Sequence, residues 1–196
     1  MFVNVVVDGK KVKMHEGANL LSELKTNGYD VPGLCYCEKI SPTGSCRLCV
    51  IKKKGENKLE TACTLKIIDK LDLEVFTHEI EEFRKEVLQL ILSEHKHDCM
   101  VCESAGDCEL EKLAYRYQID VSSEVFPQMY NKNLKKDISQ ILIYDPQKCI
   151  KCYRCVKACD EIQEKHVIDM FDRGNDTVVW PGLSGIWSES DCDGCG

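Results

Sequence analysis

The sequence predicts an α+β chain in which a small β-rich unit precedes helical and cysteine-dense segments. Short β-prone runs separated by turn signals fill the first part of the chain, and apolar residues recur at helical spacing after Thr77. We predict four segments, at residues 1–76, 77–120, 121–140 and 141–196. The third is polar and is expected to connect its neighbours.

The first segment shows the order of elements expected of a ubiquitin-like roll, the β-grasp fold. The runs "FVNVVV" and "KVKM" predict two strands joined by a type I′ turn at Asp8-Gly9. A short helix follows in "NLLSELKTNG", where Leu20, Leu21 and Leu24 share one face and Gly28 ends the helix. Two further strands are predicted in "RLCVIKKK" and "KLETACT", with a turn at residues 55–57 between them.

The second segment is predicted to be helical. Thr77 is a candidate N-cap, and the acidic residues after it suit a helix N-terminus. An apolar stripe then runs to about Glu94 and includes Ile80, Phe83, Val87 and Ile91. A second helix is predicted in "ELEKLAYRYQI".

Composition restricts the class of protein. The chain has 14 cysteines in 196 residues, set two or three residues apart rather than scattered. Neighbours this close converge on a metal more easily than they form unstrained disulfides. The N-terminus also lacks the pattern of a signal peptide, so we expect metal ligands in a reducing, cytoplasmic setting. No apolar run approaches the roughly 20 residues of a membrane span. The net charge of −7 offers no basic surface for nucleic acid.

A first ligand set consists of Cys35, Cys46, Cys49 and Cys63. Four thiolates suit an iron–sulfur cluster or zinc. The phrases "PGLCYCEKISPTGSCRLCVI" and "TACT" resemble the 2Fe–2S ferredoxin domain of the large iron–sulfur subunit of respiratory NADH dehydrogenase. Iron-only hydrogenases and NAD-linked formate dehydrogenases carry a similar domain. Relatives often have histidine where this chain has Cys37, which we interpret as a free thiol.

A second set is His95, Cys99, Cys102 and Cys108, in "HKHDCMVCESAGDCEL". Its spacing resembles the 4Fe–4S site of the same family, which one histidine and three cysteines ligate. His97 is the rival ligand, but its spacing to Cys99 is too short to match the family. A neutral imidazole in place of a thiolate is expected to raise the cluster's potential.

A third set, in "CIKCYRCVKAC", follows the spacing of bacterial ferredoxins: Cys149, Cys152, Cys155 and Cys159. In two-cluster ferredoxins the fourth cysteine of such a run ligates the other cluster, so Cys159 is assigned to a second 4Fe–4S site. The pair Cys192 and Cys195 resembles the start of that second run. Either the sequence continues beyond Gly196, which we favour, or one of this pair completes the first cluster instead.

The alternative for all of these sites is structural zinc, since each ligand set also occurs in zinc proteins. The combined order of a loose four-cysteine site, a histidine with three cysteines and a tight ferredoxin run favours iron. His15, His78 and His166 have no cysteine at ligand spacing and are predicted to lie at the surface. Arg47, between two ligands, is either a hydrogen-bond donor to the cluster or an ordinary surface residue.

The resemblance implies one 2Fe–2S cluster and two or three 4Fe–4S clusters that relay single electrons. It implies a subunit that works with a flavin- and NAD-binding subunit and a small thioredoxin-like 2Fe–2S subunit. A hydrogenase, a formate dehydrogenase or a second flavoprotein would exchange electrons with the other end of this series of clusters. We find no catalytic residues and no nucleotide-binding motif in the chain itself. The alternatives are the N-terminal fragment of a larger catalytic chain and a free polyferredoxin.

Overall fold

A computed structural model describes residues 1–123, 126–134, 136–138 and 142–195. The chain divides into two compact units. The first comprises Met1–Glu38 and Pro42–Leu88, and the second comprises Lys39–Ser41 and the chain from Gln89 onward. Five residues of the predicted connecting segment (124, 125, 135, 139 and 140) lie outside the described residues. So do the predicted start of the last segment, Ile141, and Gly196.

The first unit is built on a five-stranded sheet. Its strands are β1 (Phe2–Val7), β2 (Lys10–His15), β3 (Val50–Lys53), β4 (Leu59–Thr61) and β5 (Asp72–Glu74), in the order β2-β1-β5-β3-β4. The β1–β5 pair is parallel and the other pairs are antiparallel. Alternate residues of β1 face the core, so Val3, Val5 and Val7 are buried.

The hairpin between β1 and β2 has the predicted type I′ geometry. Asp8 and Gly9 both have positive φ, at 47° and 78°. The Asp8 carboxylate also accepts a hydrogen bond from the backbone N–H of Val75, at 2.8 Å. One residue thereby forms the turn and joins the hairpin to the chain just after β5.

Helix α1 (Leu20–Thr26) packs on this sheet as predicted. Asn19 caps it by accepting from the N–H of Ser22, and Gly28 follows it with φ of 82°. Its leucines join a core of fifteen buried residues. The predicted strand in "KLETACT" is too long, however: β4 ends at Thr61 and residues Ala62–Thr64 form a 3-10 turn. The Thr64 hydroxyl stabilises that turn by donating to the carbonyl of Thr61.

Helix α2 (His78–Ser93) begins at the predicted cap, where Thr77 Oγ1 accepts from the N–H of Ile80. Its apolar stripe differs from the prediction. Four buried residues recur at four-residue spacing, namely Ile80, Arg84, Leu88 and Leu92, whereas Phe83, Val87 and Ile91 are only half-buried. An arginine therefore occupies a core position of this helix.

The remaining elements belong to the second unit and are short. They are α3 (Glu109–Arg116), α4 (Arg154–Glu161), and two hairpins of β6 (Asp137–Ile138) with β7 (Ile143–Tyr144) and β8 (Ile168–Phe171) with β9 (Val178–Pro181). The sequence did not predict α4, which has only eight residues and Val156 as its one buried residue. Within the described part of the chain, no helix has the length and apolar character needed to span a membrane.

Candidate metal centres

The first cysteine set lies where loops meet at one end of the sheet. Cys35 lies in the loop after α1, Cys46 and Cys49 precede β3, and Cys63 lies in the 3-10 turn after β4. All four are buried, with exposed fractions of 8% or less. The fold therefore brings cysteines that lie up to 28 residues apart in the sequence into one buried site.

The four sulfur atoms are linked to one another. Cys35 is hydrogen-bonded to Cys46 and to Cys63, and Cys49 is hydrogen-bonded to Cys63. These bonds hold the pKa values of Cys35 and Cys49 below the usual range for a thiol. The same bonds, together with burial, raise the pKa values of Cys46 and Cys63. Metal binding requires thiolates, so a cation bound here would displace the protons of these thiols.

Backbone amides surround the same sulfurs. The N–H of Leu34 donates to Cys46 Sγ at 3.4 Å, and the N–H of Leu48 donates to the same atom. Arg47 has φ of 55°, in the left-handed region that non-glycine residues seldom adopt. Its side chain is exposed. Arg47 thus shapes the ligand loop through its backbone.

Gly44 is required by the close approach of this loop to the turn that carries Cys63. Its φ is +65°, and a Cβ at this position would lie 3.2 Å from Thr64 Cγ2 and 3.4 Å from Thr61 Oγ1. Those two threonine hydroxyls are hydrogen-bonded to each other at 2.8 Å. A side chain at position 44 would therefore push the loop away from Cys63.

The donor set of the first site fits an iron–sulfur cluster. Four buried sulfurs with amide donors around them provide the thiolate ligation and the hydrogen bonding that such clusters use. In the described residues, no three histidine, cysteine, aspartate or glutamate side chains are arranged around a point where a single metal ion could sit.

The second set is arranged around the end of α2 and the start of α3. Cys99 begins a 3-10 turn, the N–H of Cys102 donates to the carbonyl of Cys99, and Cys108 is the N-cap residue of α3. Burial and the nearby Glu111, Cys108 and Cys102 raise the pKa of Cys99. The structure thus groups the three cysteines around one loop.

His95 lies two residues after the end of α2, and its N–H donates to the carbonyl of Leu92. Burial and the neighbouring His97 lower the pKa of His95, which favours the neutral imidazole that metals bind. His97 Nε2 is 2.6 Å from the carbonyl oxygen of Leu92. The other ring nitrogen of His97, Nδ1, is buried without a hydrogen-bond partner in the described structure.

The third set occupies a loop and the helix that follows it. Cys149 comes after a 3-10 turn, and Cys155 and Cys159 lie one helical turn apart on α4. Burial of the thiol and the nearby Cys149 and Cys152 raise the pKa of Cys155 to about 11. Burial also raises the pKa of Cys152. The first three cysteines of the run therefore lie close enough to interact.

The loop from Cys149 to Cys155 is bent by two residues with positive φ. Lys151 and Tyr153 have φ of 53° and 67°. The bend at Lys151 turns its N–H toward Cys149 Sγ, at 3.4 Å. The N–H of Val167 likewise donates to Cys159 Sγ at 3.3 Å. Amide donors therefore accompany the third set, as they do the first.

The loops of the second and third sets are joined directly. The N–H of Lys96 donates to the carbonyl of Gln147 at 3.0 Å. Lys148 Nζ is 3.4 Å from Asp98 Oδ1, and Lys151 Nζ is 2.8 Å from Glu94 Oε2. His95 thus lies in a segment that is held on both sides to the loop carrying Cys149 and Cys152.

Three family models match this chain in succession. They describe a 2Fe-2S iron-sulfur cluster binding domain at residues 2–78, an NADH-ubiquinone oxidoreductase-G iron-sulfur binding region at 84–123, and the ferredoxin-like domain of NADH-quinone oxidoreductase subunit 3 at 139–185. These matches confirm the resemblance of the chain to the iron–sulfur regions of NADH-quinone oxidoreductase G and of related hydrogenase and formate dehydrogenase-like subunits. The mixed α and β content and the presence of both 2Fe–2S and 4Fe–4S binding domains are confirmed.

Similar proteins include oxidoreductase subunits of several kinds. The NADP-reducing hydrogenase subunit HndD of Solidesulfovibrio fructosivorans is 34% identical over 99% of this chain and 34% of its own length. An NADH-quinone oxidoreductase subunit of Rhizobium meliloti (strain 1021) is 30% identical over 99% of this chain and 22% of its own. A crystal structure of NAD+-reducing [NiFe]-hydrogenase in the H2-reduced state has a TM-score of 0.86 at 26% identity and covers 97% of this chain and 80% of that chain. The chain spans about a third of the length of the first of these curated relatives and less of the second.

The last two cysteines of the chain differ in their surroundings. Cys192 is half-buried and packs with Cys149 and Cys159 against a cluster formed by Val156, Ile168, Val179 and Trp187. It also borders an open cavity of about 470 Å³, with Lys165 and Asp193 among its lining residues. Cys195 is exposed. The structure therefore brings Cys192, but not Cys195, into the described packing of the third set.

Other residues outside the three predicted ligand sets fall into two groups. Cys37 is half-buried, and His15, His78 and His166 are exposed as predicted. Arg84 and Tyr144 were missed. Tyr144 is hydrogen-bonded to Cys149, and its hydroxyl accepts from the N–H of Val179. The spacing of Arg84 from Ile80 and Leu88 was the available signal, since it puts a cation at a core position.

Proposed function

We propose that the chain is an electron-transfer subunit that relays single electrons through a series of iron–sulfur clusters. The observation that carries this is the first site, where four buried sulfurs are hydrogen-bonded to one another inside a matched 2Fe–2S binding domain. Buried thiolates with amide donors hold a redox centre away from water and set its potential. The fold of this unit, in our proposal, is a β-grasp ferredoxin.

The ligands are assigned as follows. Cys35, Cys46, Cys49 and Cys63 hold one 2Fe–2S cluster, and His95 with Cys99, Cys102 and Cys108 holds a 4Fe–4S cluster. Cys149, Cys152 and Cys155 begin another 4Fe–4S site, whereas Cys159, Cys192 and Cys195 either hold a second one or complete the first. The burial of Cys192 against Cys149 and Cys159 supports a place for it in either arrangement.

Electron transfer requires the ligand loops to lie close together and to stay rigid. The contacts of Lys96, Lys148 and Lys151 with the opposite loop support direct exchange between the second and third sets. When bound, each cluster would accept and release one electron. The residues of the chain hold the clusters, donate hydrogen bonds to their sulfur ligands and exclude water.

The proposed partner is a flavin- and NAD-binding subunit resembling that of NADH dehydrogenase, together with a small thioredoxin-like 2Fe–2S subunit. The far end of the relay would be a hydrogenase, a formate dehydrogenase or a second flavoprotein. The names of the similar proteins, an NADP-reducing hydrogenase subunit and an NADH-quinone oxidoreductase subunit, support this assignment. The complex is proposed to act in the cytoplasm.

The decisive test is iron and acid-labile sulfide analysis, with electron paramagnetic resonance (EPR) of the reduced, anaerobically purified protein. About 10 irons per chain are expected for one 2Fe–2S and two 4Fe–4S clusters, and about 14 if a third 4Fe–4S cluster is present. Zinc in place of iron, with no EPR signal, would refute the proposal and indicate a structural zinc protein. His95→Ala is expected to lose the histidine-ligated cluster, whereas His97→Ala is expected to keep it.

A second candidate is that this sequence forms the iron–sulfur region of a longer catalytic chain. The observation that favours it is the share of its curated relatives that the chain spans, 34% and 22%. The test is the size of the native polypeptide and whether its reading frame continues after Gly196. A chain that continues into a catalytic domain would support this candidate over the separate subunit.

A further inference from the structure

Arg84 is a fully buried cation in the first unit that lies beside the ligand loop of the first cysteine site. Its exposed fraction is 0%, and it is among the largest fully buried side chains. A guanidinium is charged at any physiological pH, and burying it is costly unless its N–H groups are bonded. Its position therefore calls for an account of what it binds.

The guanidinium binds the backbone on both sides of one cysteine. Arg84 Nε donates to the carbonyl of Leu48 at 3.1 Å, and Nη2 donates to the carbonyl of Val50 at 2.8 Å. Cys49 lies between these two residues, and its own carbonyl accepts from the N–H of Ala62 at 2.9 Å. All three carbonyls around Cys49 are therefore held, two of them by Arg84.

One of these peptide groups faces a sulfur. The carbonyl of Leu48 and the N–H of Cys49 belong to the same peptide group, and that N–H faces Cys49 Sγ. A carbonyl that accepts a charge-assisted hydrogen bond polarises its peptide group, so the N–H of that group becomes a stronger donor. The bond from Arg84 to Leu48 thus acts on the amide that faces the sulfur of Cys49.

The charge of Arg84 is only partly neutralised. Glu81 Oε1 accepts from Nη1 at 2.5 Å, but the Glu81 side chain is 32% exposed and is screened by water. On another side, the ring centroid of Phe76 lies 5.3 Å from the guanidinium carbon. The guanidinium therefore places a positive charge beside the ligand loop, with a partner carboxylate that water screens.

We propose that Arg84 is a positioning residue of the first cysteine site, which fixes Cys49 through the two flanking carbonyls and holds the potential of the centre at a higher value. This rests on the proposed function, in which these cysteines hold a 2Fe–2S cluster. Reduction adds negative charge, and a buried cation nearby stabilises the reduced form more than the oxidised form. Stronger amide donors to the sulfurs act in the same direction.

The test is an EPR-monitored redox titration of the anaerobically purified full chain, at a temperature where only the 2Fe–2S signal is sharp. Arg84→Met removes the charge and both carbonyl bonds, so a negative shift of the midpoint potential is expected. Arg84→Lys keeps the charge but cannot donate to both carbonyls in the same geometry, so a smaller negative shift of the midpoint potential is expected. Glu81→Gln leaves the arginine unpaired, so a positive shift is expected.

The matched control is Glu79→Gln, which breaks the 2.9 Å contact of α2 with Lys52 of β3 and leaves Arg84 untouched. A purely structural role would lower thermal stability in Arg84→Met without moving the potential. An unmoved potential in both Arg84→Met and Glu81→Gln, or an equal shift in Glu79→Gln, overturns the inference. If Arg84→Met fails to retain its cluster, the sign of the shift in Glu81→Gln decides. Absence of any 2Fe–2S signal in the unmodified chain would instead refute the proposed function.

Discussion

The cysteines of the first unit and those of the C-terminal region occupy different kinds of protein. In the first unit, Cys49 and Cys63 are part of a core of fifteen buried residues. In residues 142–195, the described cluster around Val156 has four buried residues, and the cysteines packed against it are half-buried. The first site is therefore supported by a sheet and helix that have their own core. The C-terminal site has little apolar burial apart from the ligand region itself.

A bound metal is therefore expected to contribute differently to the folding of the two regions. Where a core exists, metal binding adds to a stability that burial already supplies. Where apolar burial is small, the binding free energy of the metal is largely the folding free energy. Removing the iron should therefore unfold the C-terminal region while the first unit stays folded.

The largest expected effect is a loss of structure in residues 142–195 of the iron-free chain. Hydrogen exchange followed by mass spectrometry should show β1, β3 and α1 still protected and α4 and the β8–β9 hairpin close to unprotected. The iron-loaded chain is the control, in which both regions should be protected. Equal protection of both regions in the iron-free chain would contradict the comparison.

Replacing single cysteines in the first unit gives the next largest effect. Cys63→Ser removes the sulfur that is hydrogen-bonded to both Cys35 and Cys49. The chain should then bind about two irons fewer. The matched control is Cys37→Ser, two residues from Cys35, which should keep the full iron content. Iron analysis and EPR at equal protein concentration measure both. Loss of iron in Cys37→Ser would make this residue a ligand and change the assignment of the site.

Sequence reasoning succeeded where local chemistry and periodicity were strong. The type I′ turn at Asp8-Gly9, the cap at Thr77 and the helices α1, α2 and α3 followed from residue type and spacing. The family was recognised from the cysteine and histidine spacings and was confirmed by the comparisons.

Sequence-based prediction was wrong where tertiary contacts determine the local structure. Nothing local requires an arginine to be buried on α2, because its partners Leu48 and Val50 lie more than thirty residues earlier. Helix α4 has only eight residues, too short a window for apolar periodicity to identify a helix. The shortening of β4 likewise depends on the turn that places Cys63 in the site.

A smaller effect is expected from alanine at two glycines of the first unit. Gly44 and Gly55 both have positive φ, which costs a residue with a Cβ about 1–2 kcal/mol. Only Gly44 has neighbours within 4 Å of an added Cβ, so Gly44→Ala should destabilise more than Gly55→Ala. Chemical denaturation of the iron-loaded variants measures the difference. Gly44→Ala alone should also lose iron faster to a chelator, and equal effects of the two variants would contradict the close approach of the loop to Thr64.

The smallest expected effect concerns the pair of Lys53 and Glu60, which joins β3 to β4 at 2.7 Å. The hydrogen bond to Lys53 lowers the pKa of Glu60, and the same bond raises the pKa of Lys53. The pair should contribute about 0.2–1 kcal/mol near pH 7, because both side chains are partly exposed. A lowered carboxyl pKa means that this contribution is complete above the unfolded pKa of glutamate, about 4.3. It is lost as the pH falls through the lower folded value. A double-mutant cycle of Lys53→Met and Glu60→Gln, measured by chemical denaturation of the iron-free chain at pH 7 and at pH 3, should show coupling at pH 7 that is weaker at pH 3. Coupling that persists unchanged at pH 3 would mean that packing, rather than charge, joins these two side chains.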